Sequence, residues 1–273
     1  MRHTFLFLLF PFLISAQDSW NMTLLGSLDY PTSQGNDIWG WVDSDGNEYA
    51  LVGLRKGFSV VNVTNPTSPI EEFFIADSNS VWRDIKTWGN YAYVTTEADA
   101  GLLIVDLKDM TGNTYWHVSQ FANSNTGLNV TFTSAHNLYI DENGICYIFG
   151  AGSNSGSNPS SGVIFLDVDA NPTNPVYLGS WNDAYVHDAM VRGDTMWTCC
   201  ISMGKLFVVD VSNKDKPITL TSWSTPNGFT HNAWISDDGN YVFTTDERSN
   251  AYIAAYDILP VIQCEYLEKN TNY

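Results

Sequence analysis

One feature limits the fold more than any other: an apolar run ending in Asp, Asn or a close equivalent recurs five times. The runs are Phe58 to Asn62, Leu102 to Asp106, Val163 to Asp167, Leu206 to Asp210 and Tyr252 to Asp257. Gly57, Gly101, Gly162 and Gly204 stand at or just before four of them. A turn follows, often with proline, as in Asn65 to Pro69, Asn171 to Pro175 and Ser212 to Pro217. A second short β-type segment comes next, over 71–76, 115–121, 176–181 and 218–223. Upstream of each run lie two further β-type segments joined by a tight turn: Asp43 to Asn47, Trp88 to Asn90, Asp141 to Gly144, Arg192 to Asp194 and Asp237 to Asn240. Gly beside Asn or Asp between β-rich runs is a hairpin signal, because such turns need positive φ. Each unit therefore reads as four antiparallel strands, a, b, c and d. Five units in tandem with a period of roughly 40–50 residues are the pattern of an all-β protein, a β-propeller of four-stranded blades. A small twisted sheet cannot cover both its faces, and sheets stacked around an axis cover one another. A β-solenoid would repeat at a shorter period.

Residues 22–29 resemble a d strand, since Leu25-Gly26-Ser27-Leu28 parallels Leu178-Gly179-Ser180-Trp181. The segment from Ile262 to Glu268 reads as the d strand of the fifth unit. Six d strands thus accompany five a–b–c sets, and the simplest expectation is a chain that lacks at least one blade and whatever follows it. A five-bladed ring with a redundant strand is the alternative.

Before the repeats, Arg2 and His3 precede an apolar run from Phe5 to Ile14 and then Ser15-Ala16-Gln17. This is the layout of a secretory signal over residues 1–16, too short for the roughly 20 apolar residues of a membrane span. The expectation is a secreted or cell-surface protein with its propeller over 17–273 and no transmembrane segment. Asp and Glu number 30 against 12 Lys and Arg, a formal charge of -18, so a nucleic-acid backbone or anionic membrane surface is excluded as partner. An extracellular protein, a glycan or a cation is compatible, and a monomer is expected. Cys146, Cys199, Cys200 and Cys264 lack metal-site spacing, and adjacent Cys199 and Cys200 should point to opposite faces of a strand. Buried thiols, or at most one bridge, are expected.

Histidine carries the strongest functional signal. Three of the five occupy one register of the repeat: Ala135-His136-Asn137, Val186-His187-Asp188 and Thr230-His231-Asn232. Trp82-Arg83-Asp84 stands at the same register one unit earlier, and steps of 53, 51 and 44 residues separate the four positions. Each begins an a strand, the innermost strand of a blade, so the side chains belong to one rim of the central channel. The b–c loops open on that rim and bring Glu97, Asp246 and Glu247. His136, His187 and His231 are thus candidate ligands for one divalent ion such as zinc, manganese or iron. Arg83, Asp84, Glu97, Asn137, Asp188, Asn232, Asp246 and Glu247 are candidate ligand-binding rim residues. The same pattern also suits residues that hydrogen-bond the next blade and lock the ring.

Other motifs are weaker. The Gly- and Ser-rich stretch from Gly150 to Asn158 lacks the Lys and helix of a phosphate loop. Asp43 to Asn47 and Asp141 to Gly144 contain only fragments of a calcium loop and read as hairpin turns.

The c strands Gly101-Leu-Leu-Ile-Val-Asp106 and Gly204-Lys-Leu-Phe-Val-Val-Asp210 resemble the LVIVD repeat. With Trp82-Arg-Asp84, Ser134-Ala-His-Asn137, Val186-His-Asp188, Thr230-His-Asn232 and Thr244-Thr-Asp-Glu247, the chain resembles the choice-of-anchor B proteins. That resemblance implies export and surface display and no defined reaction. The leading expectation is a surface or extracellular binding module. The rivals are a metal-dependent hydrolase or lactonase, with Glu97 or Asp246 as base, and an adhesion scaffold with no small-molecule site.

Overall fold

The computed structural model describes residues 21–123, 126–127, 129–152 and 162–259. They build the expected all-β propeller architecture. Blade one is β1 (Gly35–Val42), β2 (Glu48–Leu54), β3 (Gly57–Asn62) and β4 (Ile70–Ala76), hydrogen-bonded in that order and antiparallel throughout. Blade two is β5 (Ile85–Trp88), β6 (Tyr91–Val94), β7 (Leu102–Asp106) and β8 (Tyr115–Val118). A separate hairpin, β9 (Gln120–Ala122) with β10 (Asn129–Thr131), precedes blade three. Blade three is β11 (Asn137–Ile140), β12 (Ile145–Phe149), β13 (Val163–Asp167) and β14 (Val176–Trp181). Blade four is β15 (Asp188–Arg192), β16 (Thr195–Cys200), β17 (Lys205–Asp210) and β18 (Ile218–Ser224). Blade five shows β19 (Thr230–Ile235), β20 (Tyr241–Asp246) and β21 (Ile253–Asp257).

The cores lie between blades. Leu51, Val60 and Phe73 of blade one meet Ile85, Val94 and Leu103 of blade two, and equivalent layers join blades two to three, three to four and four to five. Alternation along each strand sends neighbouring side chains to opposite layers. Cys199 accordingly packs toward blade five and Cys200 toward blade three. Cys146, Cys199 and Cys200 are buried free thiols, and burial pushes all three above the usual thiol range, Cys200 to about 12. Cys264 lies outside the described residues, as do the signal segment and the fifth d strand expected over 262–268. Among the described residues the stack has two open faces, one showing Ile38 and Val42 of blade one and the other Tyr241, Phe243 and Ile253 of blade five. No helix of the described residues is long and apolar enough to cross a membrane.

The a–b turns tie the bottom of the stack together. Trp41 Nε1 donates to the Gly89 carbonyl, Trp88 Nε1 to Asp169, the Gly193 amide to Glu142, and Arg192 Nη1 to the Ser236 carbonyl. Each bond spans one pair of adjacent blades. The calcium-like fragments are such turns: Asp43 accepts from the amides of Asp45 and Asn47 and from the Tyr49 hydroxyl, and Asp141 accepts in the same way from Asn143, Ile145 and Tyr147. Their carboxylates are consumed in holding the hairpin.

Two expectations are corrected. Residues 22–29 form no strand. Gly26 nevertheless sits against Pro66, where a Cβ would meet the Pro66 carbonyl at 2.4 Å, and Gly179 of β14 makes the same approach to Lys214 of blade four at 1.8 Å. The segment therefore runs in an outer-strand position without a ladder beside it. The strand expected over 115–121 is also broken. The chain leaves blade two at Ser119, whose carbonyl accepts the Phe132 amide, because Phe121 and Phe132 stack at 4.9 Å as a buried pair within the extra hairpin.

Candidate functional site

The repeat register delivers three imidazoles to one place. His136 precedes β11, His187 precedes β15 and His231 lies at the start of β19, all at the end of the stack where b strands finish and c strands begin. The ring centroids of His136 and His187 are 3.9 Å apart, and those of His187 and His231 are 4.7 Å apart. His136 and His187 are buried, and His231 is partly exposed. Gly150 lets the first pair approach: its φ is +60°, and a Cβ there would press on the His136 Cβ at 3.1 Å and on the Tyr185 ring at 3.3 Å.

Carboxylates surround the rings. His136 Nδ1 lies 2.7 Å from Glu97 Oε1, on the b–c loop of the neighbouring blade. His187 Nδ1 lies 3.1 Å from Asp188 Oδ2, and His231 Nε2 is 3.9 Å from the same oxygen. Two sets bring donor atoms within 4.8 Å of one another: His136, His187 and Asp188, and His187, His231 and Glu247. Burial works against protonation of His187, but the hydrogen bond and charge of Asp188, with Glu247 and the His231 backbone, outweigh it and raise its pKa. Asp84 faces the same channel. Burial, then the negative charges of Asp37 and Asp188, push its carboxyl up to about 8, against the opposing pull of Lys86 and His187.

Two candidates belong to the scaffold instead. Arg83 is wholly buried, not on the rim surface: Nη1 pairs with Asp77 at 2.5 Å, Nε donates to the Leu54 carbonyl and Nη2 to the Ser78 carbonyl. Asp246 is buried and accepts from the Thr225 hydroxyl and the amides of Asn227 and Phe229, so it fixes the loop before β19. Asn137 donates to Asp188 Oδ1 and bolts blade three to blade four. Asp37 does the same for blades one and two by accepting the Ile85 amide. Glu247 is exposed beside His187 and His231, and Asn232 is exposed without a place in either donor set. At two of the three positions the residue after the imidazole, Asn137 or Asp188, joins adjacent blades, and the imidazoles themselves come together.

Sequence reasoning missed two aromatic neighbours. The Trp82 ring stands 5.5 Å from that of His136 and is 40% exposed. Tyr185 lies beside Gly150, and burial, then Glu97 and Asp188, push its hydroxyl up to about 12. Trp82 adjoins the repeat register, which is the signal that points to it. Tyr185 lies two residues before His187 in a loop without repeated spacing.

The strand repeat matches a known family model over residues 45–77, 82–111 and 199–225. That model is the one for the LVIVD repeat. The matched segments span the b, c and d strands of blade one, most of blade two, and the c and d strands of blade four. No curated protein matches the chain. The stack of blades resembles a candidate 6-phosphogluconolactonase from Bacteroides uniformis, with 13% identity over 81% of this chain and 67% of that one, TM-score 0.58. It also resembles Raptor from Chaetomium thermophilum, with 11% identity over 84% of this chain and 20% of that one, TM-score 0.57. A chain of a mitotic checkpoint complex matches at 9% identity over 85% of this chain and 77% of that one, TM-score 0.50. At these identities the likeness shows the propeller fold alone.

Proposed function

We propose that the protein is an exported binding module whose rim funnel holds one divalent metal ion on His136, His187 and His231. The ion would supply coordination positions that a ligand, an extracellular protein or a glycan, can fill. The observation that carries this reading is the packing of three imidazoles from three blades with ring centroids 3.9 and 4.7 Å apart. Imidazole nitrogen is the common ligand of late first-row divalent ions, and a concave rim leaves a side open to a partner. Export and surface display rest on the N-terminal Arg2-to-Ala16 pattern and on the resemblance to choice-of-anchor B proteins.

Elemental analysis of the purified protein tests the site. About one equivalent of metal is expected, and the triple replacement of His136, His187 and His231 by Ala should lose it while the thermal transition is kept. A metal-free wild-type protein that takes up none on dialysis against Zn2+, Mn2+ or Fe2+ would refute the reading. An ester and lactone panel with and without chelator separates a binder from a hydrolase: a binder turns nothing over.

A further inference from the structure

Resting on that metal reading, we infer that Glu97 and Asp188 are not metal ligands but positioning residues, and that the donor set left is chiefly imidazole, which selects a zinc-class ion over calcium, magnesium or manganese. Glu97 touches His136 through one ring nitrogen, Nδ1, at 2.7 Å. A carboxylate can only accept, so Nδ1 is the donor in this contact and Nε2 is the ring nitrogen left to face a metal. Glu97 comes from blade two and His136 from blade three, so the contact also fixes the ring across a blade boundary. The Ser134 hydroxyl, donating to the Glu97 carbonyl, and the Ala135 amide, donating to the Thr96 carbonyl, hold the two segments in register.

Asp188 is committed twice over. Oδ1 accepts from Asn137 Nδ2, and Oδ2 faces His187 Nδ1. Coordination through either oxygen would compete with a contact that joins two blades or orients the His187 ring. Its role beside His187 therefore repeats that of Glu97 beside His136: a carboxylate behind an imidazole, aiming it and raising its basicity. Glu247 is the exposed carboxylate whose donor atom lies with those of His187 and His231, so it completes that set as the single oxygen donor. Two or three imidazoles with at most one carboxylate suit Zn2+, whereas Ca2+, Mg2+ and Mn2+ favour sites rich in oxygen.

The test is competition titration with a chromophoric chelator on the wild-type protein, Glu97→Ala, Glu97→Gln and Glu247→Ala, each with Zn2+, Mn2+ and Ca2+. The Glu97 side chain is 41% exposed, so these variants are expected to fold, and the thermal transition checks it. Wild type should take Zn2+ and neither of the others. Removal of Glu97 should weaken Zn2+ roughly 10- to 100-fold, the range typical of a lost second carboxylate behind a ligating histidine. Nitrogen-15 chemical shifts of the metal-free protein should show His136 protonated at Nδ1 in wild type and a mixture of tautomers in Glu97→Ala, a change that a merely structural role would not produce. If wild type binds Zn2+ and Glu97→Ala binds it within twofold with the tautomer unchanged, this inference falls and the metal reading stands. Preference for Ca2+ or Mn2+ over Zn2+ would likewise overturn the donor assignment alone. Uptake of no ion by wild type removes the metal reading and this inference with it.

Discussion

Arg83 offers the sharpest test of how the scaffold is separated from the site. Its guanidinium is wholly buried and makes three contacts: the Asp77 carboxylate and the Leu54 and Ser78 carbonyls. Arg83→Met keeps most of the stem and deletes the charge. The Asp77 side chain, only 5% exposed, then holds a charge with its partner gone. Breaking a buried pair from one side costs about 3–5 kcal/mol, and an orphaned buried carbonyl about 1–3 kcal/mol, partly overlapping. A net loss of about 4 kcal/mol is expected, which in a chain of this size corresponds to roughly 8–16 °C in Tm. Urea unfolding followed by tryptophan fluorescence measures it. Adding Asp77→Asn removes the stranded charge, so the double variant should recover about half of the loss. Zn2+ affinity of the folded fraction should stay within twofold, since the guanidinium is spent on Asp77, Leu54 and Ser78, none of them a donor of the site. A loss under 1 kcal/mol, or strict additivity of the two substitutions, would refute the buried-pair account. Unchanged stability with impaired ligand binding would return Arg83 to the rim.

Further outcomes follow from the same geometry. In metal-free protein, Asp84 holds a proton up to about pH 8 whereas the unfolded chain sheds it near the ordinary value of 3.8. The folded state therefore binds more protons between these values, and stability falls as pH rises through that window and levels off above it. Asp84→Asn has no proton to lose, so its advantage over wild type should be absent at pH 4 and grow with pH until about pH 8 in chelator-treated samples; a pH-independent difference would contradict the shift. Gly150→Ala should perturb the site more than the fold, through strain at φ +60° and pressure on His136 and Tyr185, and a Zn2+ affinity equal to wild type would argue against it. Asp246→Ala frees the Thr225 hydroxyl and two loop amides, so a loss of about 2–3 kcal/mol and faster amide exchange at Asn227 and Phe229 are expected, read by hydrogen exchange. Cys146, Cys199 and Cys200 should resist a thiol reagent until the protein unfolds, and reaction in the native state would show that the blade interfaces breathe.

The blade repeat could be read because its signals are local. Gly beside Asn or Asp makes the a–b hairpin wherever it falls, and the c runs lie where the Gly-to-Asp marker set them, for instance Leu102–Asp106 and Val163–Asp167. Convergence of the three histidines followed from register alone, since equal positions in a cyclic stack share one rim. The fate of Arg83 and Asp246 was hidden for a different reason. Each stands at a rim position by spacing, but its direction depends on acceptors and donors in loops: the Leu54 and Ser78 carbonyls in one case, the Asn227 and Phe229 amides in the other. No periodicity advertises a backbone group in a loop. The β9–β10 hairpin escaped notice likewise, because what separates it from blade two is the contact of Phe121 with Phe132, eleven residues apart across an irregular stretch.

The funnel draws its imidazoles from blades three, four and five, and blade five has an uncovered face among the described residues. The three rings come from three different sheets, and each sheet leans on its neighbours. An ion gripping all three would add a tie across two blade boundaries at once, and whatever is docked on that ion would sense how those boundaries are fastened.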